Sequence, residues 1–147
     1  MARRKSERFQ ILQKLADQYE NMAAKHLGVS AKNLFEQKQR LEELKQFRDD
    51  YARQFYESGS AGMSGSNLQS FQKFINQLDT AIAQQAMAVE SAEFDRQHKQ
   101  HVWEDKHKTR KVYDKTIDRF EKKEQKEQLR REQNEQDDRQ TKLKTPD

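Results

Sequence analysis

His98, His101 and His107 fall within ten residues of one another, and the chain carries 25 Asp and Glu side chains. The first question is whether these groups make a metal centre or acid–base machinery. His98 and His101, three apart, share a helix face and have a spacing that can ligate zinc. His107 lies on a different face, no cysteine adds a thiolate, and Lys99, Lys106 and Lys108 repel a cation. The expectation is solvated histidines and no metal. Carboxylates do acid–base work only where a cleft desolvates them and tunes their pKa. A chain that is 32% hydrophobic and 37% charged cannot build the thick core that frames such a cleft. Neither catalysis nor a cofactor is therefore expected.

The elements that position these side chains follow from what is missing. The one proline is Pro146, and of four glycines three lie in the stretch SGSAGMSGSN at 58–67. Both flanks thus lack the residues that stop helices or turn strands, and long helices follow. Basic and acidic residues are interspersed, 29 against 25, with a net charge of +4. That pattern suits a solvated surface and predicts no nucleic-acid partner. With no cysteine and no 18-residue apolar span, the expected setting is cytosolic.

From Leu68 a seven-residue count meets Leu68, Ile75, Ile82, Val89, Trp103 and Ile117, with Arg96 and Arg110 as interruptions. Three residues later it meets Phe71, Leu78, Gln85, Ala92, Lys99, Lys106, Tyr113 and Phe120. This is one coiled-coil register without a skip, with a weak centre at Arg96–Arg110. Before the glycines the count gives Leu34, Leu41, Arg48 and Phe55 with Leu44 and Tyr51. Nearer the start Phe9, Leu12, Leu15, Ala16, Tyr19 and Ala23 form a helical stripe. The register is expected to shift near His26–Gly28, with a bend or flaw at Leu27–Ser30.

The fold class expected is all-α: a long antiparallel two-helix coiled-coil hairpin with a C-terminal helical extension. Helix one spans about 6–58, a Gly/Ser tip 59–66, helix two about 67–140 and a disordered tail 141–147, all in a single domain. Left-handed glycine ends the first helix, and Ser66 caps the second through a box with Gln69. Residues whose numbers sum to about 126 then face each other. Phe55 meets Phe71, Tyr51 meets Ile75, Leu44 meets Ile82, Ala23 meets Trp103, and Phe9 meets Ile117. Beyond Phe120 the stretch EKKEQKEQLRREQNEQDDRQ holds one apolar residue, Leu129, so it overshoots the first helix and is held by Glu to Lys or Arg pairs.

Phe47, Phe74 and Ala81 flank the seam near the tip, above Leu44, Tyr51 and Leu78. They predict an apolar strip open to solvent and to a partner. The basic run ARRKSER at the N-terminus reads as a solvated end. Arg48, Arg96 and Arg110 either fix register or extend their charges into water.

The sequence resembles the FliJ family, the coiled-coil component of the bacterial flagellar export apparatus. The resemblance rests on QFRDDY at Gln46–Tyr51, the glycine-rich tip, FQKFINQLDTAIAQQ at Phe71–Gln85, and KKEQKEQLRREQNEQDD from Lys122. It implies a non-enzymatic hairpin similar to the central stalk of rotary ATPases. Its implied partners are the hexameric flagellar export ATPase, whose pore it occupies and whose assembly it promotes, the membrane export gate protein, and export chaperones. A membrane is reached only through those partners, which implies a place at the inner face of the cell membrane. The implied gate contact is Arg40, Leu44, Phe47, Tyr51, Phe74, Leu78, Ala81 and Gln85. Phe47 stands where tyrosine is common and Gln85 where a histidine can occur. The implied ATPase-ring contact is Arg4, Arg8, Phe9, Tyr113, Ile117, Arg119, Arg130 and Arg131. The stalk protein of a virulence type III secretion system and a general coiled-coil scaffold are the alternatives.

Overall fold

The computed structural model describes residues 4–59, 62 and 64–144. Two α-helices account for nearly all of them: α1, Lys5–Gly59, and α2, Gly65–Lys144. They pack against each other as an all-α hairpin. α2 continues to Lys144, so 141–144, expected in a disordered tail, are helical; the remainder of that tail lies outside the described residues. Where a single body is expected, the chain groups into two compact units. Unit 1 joins residues 1–22 with 104–147, and unit 2 comprises Ala23–Trp103.

α1 overturns the expected register shift. Its inward-turned residues are Ser6, Phe9, Gln13, Ala16, Glu20, Ala23, Leu27, Ser30, Leu34, Gln37, Leu41, Leu44, Arg48, Tyr51 and Phe55. The steps alternate between three and four without a break, so one heptad register runs the helix, with Ser6 at position a and Phe9 at d. Polar residues at Ser6, Gln13, Glu20, Ser30 and Gln37 hide it from a hydrophobic count. No break occurs at Leu27–Ser30, and Gly28 faces outward with nothing within 4 Å of where a Cβ would stand. The N-terminal stripe divides in two. Phe9, Ala16 and Ala23 turn toward α2, whereas Leu12, Leu15 and Tyr19 remain 42%, 44% and 49% exposed.

In α2 the expected register holds, with two exceptions: Leu68 and Lys106 are exposed. The seam also widens, because Glu93, Gln100, His107 and Asp114 at position e turn partly inward.

Within unit 2, the rings of Phe55 and Phe71 stack with centroids 3.7 Å apart. Tyr51 lies 5.6 Å from Phe71 and 4.6 Å from Phe74, both of which precede Ile75 on α2. Leu34, Leu78, Phe71 and Ala92 are buried. Ala23 is buried and Trp103 half-buried. The buried Ser30 Oγ donates to Asp95 Oδ2 at 2.8 Å, Gln85 Nε2 donates to Gln37 O and Oε1, and Arg48 pairs with Asp79.

Within unit 1, the Phe9 ring sits between Phe120 at 5.2 Å and Tyr113 at 6.2 Å, straddling buried Ile117. Ser6, 4% exposed, donates its Oγ–H to Glu124 Oε2 at 2.8 Å and its N–H to Glu124 Oε1 at 3.3 Å. The first turn of α1 therefore receives a carboxylate from α2, which satisfies an amide without a helical partner and suits the positive end of the helix dipole. Gln13 donates to Asp114. Arg110 reaches Glu20, Asp17 and Asp114, and His107 Nδ1 lies 3.0 Å from Glu20 Oε1. Of the seam arginines, Arg48 of α1 bonds across to Asp79 of α2 and Arg110 of α2 bonds across to Glu20 of α1, while Arg96 bonds along its own helix to Glu93 and Gln100.

At the tip the start of α2 is capped two residues earlier than expected. Ser64, not Ser66, precedes the first helical turn; its Oγ accepts from Asn67 N–H and its carbonyl from Leu68 N–H. Ser66 already lies inside the helix, where its Oγ meets Ser64 Oγ at 3.1 Å. No glycine among the described residues has positive φ, so left-handed glycine does not terminate α1 at these positions. Gly59 stays helical and accepts a bond from Gly62 N–H. The expected tip residues 60, 61 and 63 lie outside the described residues.

Two predictions follow from the seam. Gly28→Ala adds a methyl group in open space on a helical backbone, so thermal unfolding should show stabilisation of about 1 kcal/mol; unchanged or lowered stability contradicts the unbroken helix. The bond to His107, then Arg110, holds the Glu20 carboxyl below its usual range against the opposing effect of burial. A lowered folded-state pKa gives stability that is complete above the unfolded carboxylate range and lost as pH falls through the folded value. Glu20→Gln should therefore melt lower than wild type at about pH 7, with the gap closing toward about pH 3; a gap independent of pH refutes the carboxylate's role.

Candidate functional site

The residues that the resemblance implies as a gate contact all belong to unit 2, and the register explains their grouping. Arg40 and Phe47 occupy position g of α1; Phe74 and Ala81 occupy g of α2. Antiparallel packing brings these g edges together. Phe47, 52% exposed, lies 6.3 Å from Phe74 edge-on and 6.5 Å from Tyr51. Together with the Tyr51–Phe74 contact these rings make an aromatic patch joined across both helices. Leu44 and Ala81 are half-buried beside it, Leu78 is buried beneath, and Arg40 is exposed. Gln85 is half-buried, and its amide is committed to Gln37. The patch thus offers ring faces at its surface, with Leu78 and Gln85 as supports.

The residues assigned to the ATPase ring, all in unit 1, separate into two groups. Phe9, Tyr113 and Ile117 form the helix–helix packing. Arg4, Arg8, Arg119, Arg130 and Arg131 are exposed. Every described side chain of α2 from Gln125 to Leu143 is exposed, including Leu129 at 65% and Leu143 at 86%. Of the N-terminal basic run, residues 2–3 lie outside the described residues, Arg4 is exposed and Ser6 is buried.

His98 and His101 are exposed, whereas His107, expected to be solvated, is half-buried against Glu20. Among the described residues no group of three or more His, Asp or Glu is placed to hold a metal ion, and no helix is long and apolar enough to cross a membrane. The surface hollows are grooves on the helix pair. One of about 170 Å³ is lined by Leu12, Leu15, Ala16, Tyr19, Lys106, Thr109 and Tyr113.

Sequence reasoning missed two sets of exposed apolar side chains. Phe35, Met87 and Phe94 are 67%, 70% and 75% exposed at positions b and f, where an apolar residue has no seam to fill. Leu12, Leu15, Tyr19 and Met22 are the second set. Their repeating steps of three and four were a signal for a face distinct from the a/d seam.

No curated protein and no solved structure matches the chain significantly. The sequence model described as flagellar FliJ protein matches residues 5–143. This match takes in both helices, the aromatic patch and the α2 extension, and the chain belongs to the FliJ family of flagellar export proteins.

Proposed function

We propose that this chain is the stalk of a flagellar export apparatus, linking the export ATPase ring to the export gate without performing chemistry itself. The observation that carries this reading is the half-exposed Phe47 ring held against Tyr51 and Phe74. Helix packing leaves its surface open, and exposed aromatic patches of this kind are anchors for a protein partner.

The gate protein binds this patch, with Arg40 at its edge. The ATPase ring takes the terminal residues of α1 and the α2 extension through Arg4, Arg8, Arg119, Arg130 and Arg131, with Phe9, Tyr113 and Ile117 keeping those helices together. Export chaperones are further transient partners. The chain acts by coupling: each contact favours one state of its partner, and hydrolysis belongs to the ATPase. In this role it sits at the inner membrane face only through its partners. The match to a flagellar family favours this system over a virulence secretion system or a general scaffold.

Phe47→Ala with Phe74→Ala should weaken binding of the gate protein's soluble portion at least tenfold, about 1.4 kcal/mol, with helical circular dichroism and ATPase binding retained. Truncation after Phe120 should weaken ATPase binding while sparing the gate. The full chain should also raise ring formation and turnover of its cognate ATPase. Unchanged gate and ATPase binding in the respective variants rules out the assigned contacts.

A further inference from the structure

Leu12, Leu15, Tyr19 and Met22 occupy positions g, c, g and c of α1, with steps of three and four residues like those of the a/d seam. They are 42–53% exposed in unit 1. Beside them α2 contributes Thr109 and Val112, the latter 61% exposed. Leu12, Leu15 and Tyr19 line the open hollow of about 170 Å³ with Lys106 and Thr109, and the Lys106 ammonium lies 5.4 Å above the Tyr19 ring. A helix with one such stripe needs one neighbour; α1 has two here, and α2 covers only one.

Charge identifies what the open stripe fits. Along the paired part of unit 1, the c and g positions carry Lys5, Arg8, Arg119 and Lys123 against the single acid Asp105. The b and e positions carry Glu7, Asp17, Glu104, Asp114, Asp118 and Glu121 against Lys14 and Lys111. Arg110 turns to the acidic flank, where it pairs with Asp17 and Asp114. The cations Lys5, Arg8, Arg119 and Lys123 therefore gather at the Leu12 end of the stripe, with Lys106 beside Tyr19 and Asp105 toward the Met22 end, and most of the acids lie across the helix pair from it. Arg119 and Lys123 continue this border into a hollow with Lys122, Lys126 and Leu129.

We infer that the Leu12–Met22 flank of unit 1 is a docking groove for an amphipathic helix of another protein, apolar on one face and edged with acidic residues. The incoming helix sets aliphatic side chains between Leu12, Leu15, Tyr19 and Met22, and its carboxylates meet the basic border. The repeated helical steps and the hollow between the two helices favour a helix over a lipid surface. The acidic segment of a second copy, Glu132–Asp138, has no apolar residue to fill the groove. This inference rests on unit 1 alone; it shares Arg8 and Arg119 with the proposed ATPase-ring contact, and the peptide test reads it separately from ATPase binding.

The test uses the full chain and two labelled synthetic four-heptad helices with leucine at a and d, one carrying Glu and the other Lys at e and g. Fluorescence anisotropy is read where each peptide is monomeric. The Glu peptide should bind at least tenfold more tightly than the Lys peptide, and more weakly in about 0.5 M salt. Leu15→Ser with Met22→Ser should weaken it at least tenfold with helicity intact. Arg119→Glu with Lys123→Glu keeps the apolar stripe and should shift the preference toward the Lys peptide, so the test survives if the first variant unfolds. Equal affinities, no binding of the Glu peptide, or insensitivity to both variants overturns the inference. So does a dimer in sedimentation that the first variant abolishes, or capture by phosphatidylglycerol vesicles without peptide binding.

Discussion

A seam between two helices is too narrow to hide a polar side chain among apolar neighbours, so each inward polar group must find its own partner. Among the described residues no buried side-chain nitrogen or oxygen lacks a hydrogen bond. Unit 2 achieves this through Ser30 with Asp95, Gln37 with Gln85, and Arg48 with Asp79. Unit 1 does so through Ser6 with Glu124, Gln13 with Asp114, and Glu20 with His107 and Arg110. Leucine and alanine contacts tolerate sliding by a heptad, but these pairs do not. A slip would strand neutral groups such as Ser30 or Gln37 at about 1–3 kcal/mol each. Apolar contacts supply the attraction, and polar pairs choose among registers.

The same narrowness determines what remains outside. In unit 2 the rings of Phe55, Phe71, Tyr51 and Phe74 cover much area with little depth, which suits an interface only two helices thick. Phe47 completes this cluster from position g and retains an open face. In unit 1 the α2 extension has no opposed α1 surface to bury, and its support is intrahelical. Pairs such as Lys122 with Asp118 contribute only a few tenths of a kcal/mol each.

The fold was legible in α2 because apolar residues mark most of positions a and d from Ile75 to Ile117, with Gln85, Arg96, Lys99, Lys106 and Arg110 as the exceptions. It was obscured in α1, where the register passes through Ser6, Gln13, Glu20, Ser30 and Gln37. A hydrophobic count passes over these residues, although their partners on α2 mark the seam as clearly as leucines do. Leu12, Leu15 and Tyr19 were joined to Phe9 and Ala16 because steps of three and four fit either face; burial separates them. The Ser66-x-x-Gln69 spacing pointed to Ser66 as the cap, whereas hydrogen bonding places the cap at Ser64, two residues earlier. The aromatic patch could be placed from sequence because g edges meet in any antiparallel pair. The ring-contact set mixed inward Phe9, Tyr113 and Ile117 with outward arginines, since residue type alone does not say which way a helix turns.

Net charge gave the least guidance. Interspersed signs and a small total suggest a uniformly solvated surface, yet in unit 1 the signs separate across the helix pair. The cause lies in the register: Asp17 and Asp114 both stand at position e, on the flank where Arg110 and His107 bond Glu20. The opposite flank, where Leu12, Leu15 and Tyr19 stand, carries Lys5, Arg8, Arg119 and Lys123 at positions c and g. The register that fixes the inside of a thin structure thus also gives its two outer sides different electrostatic character.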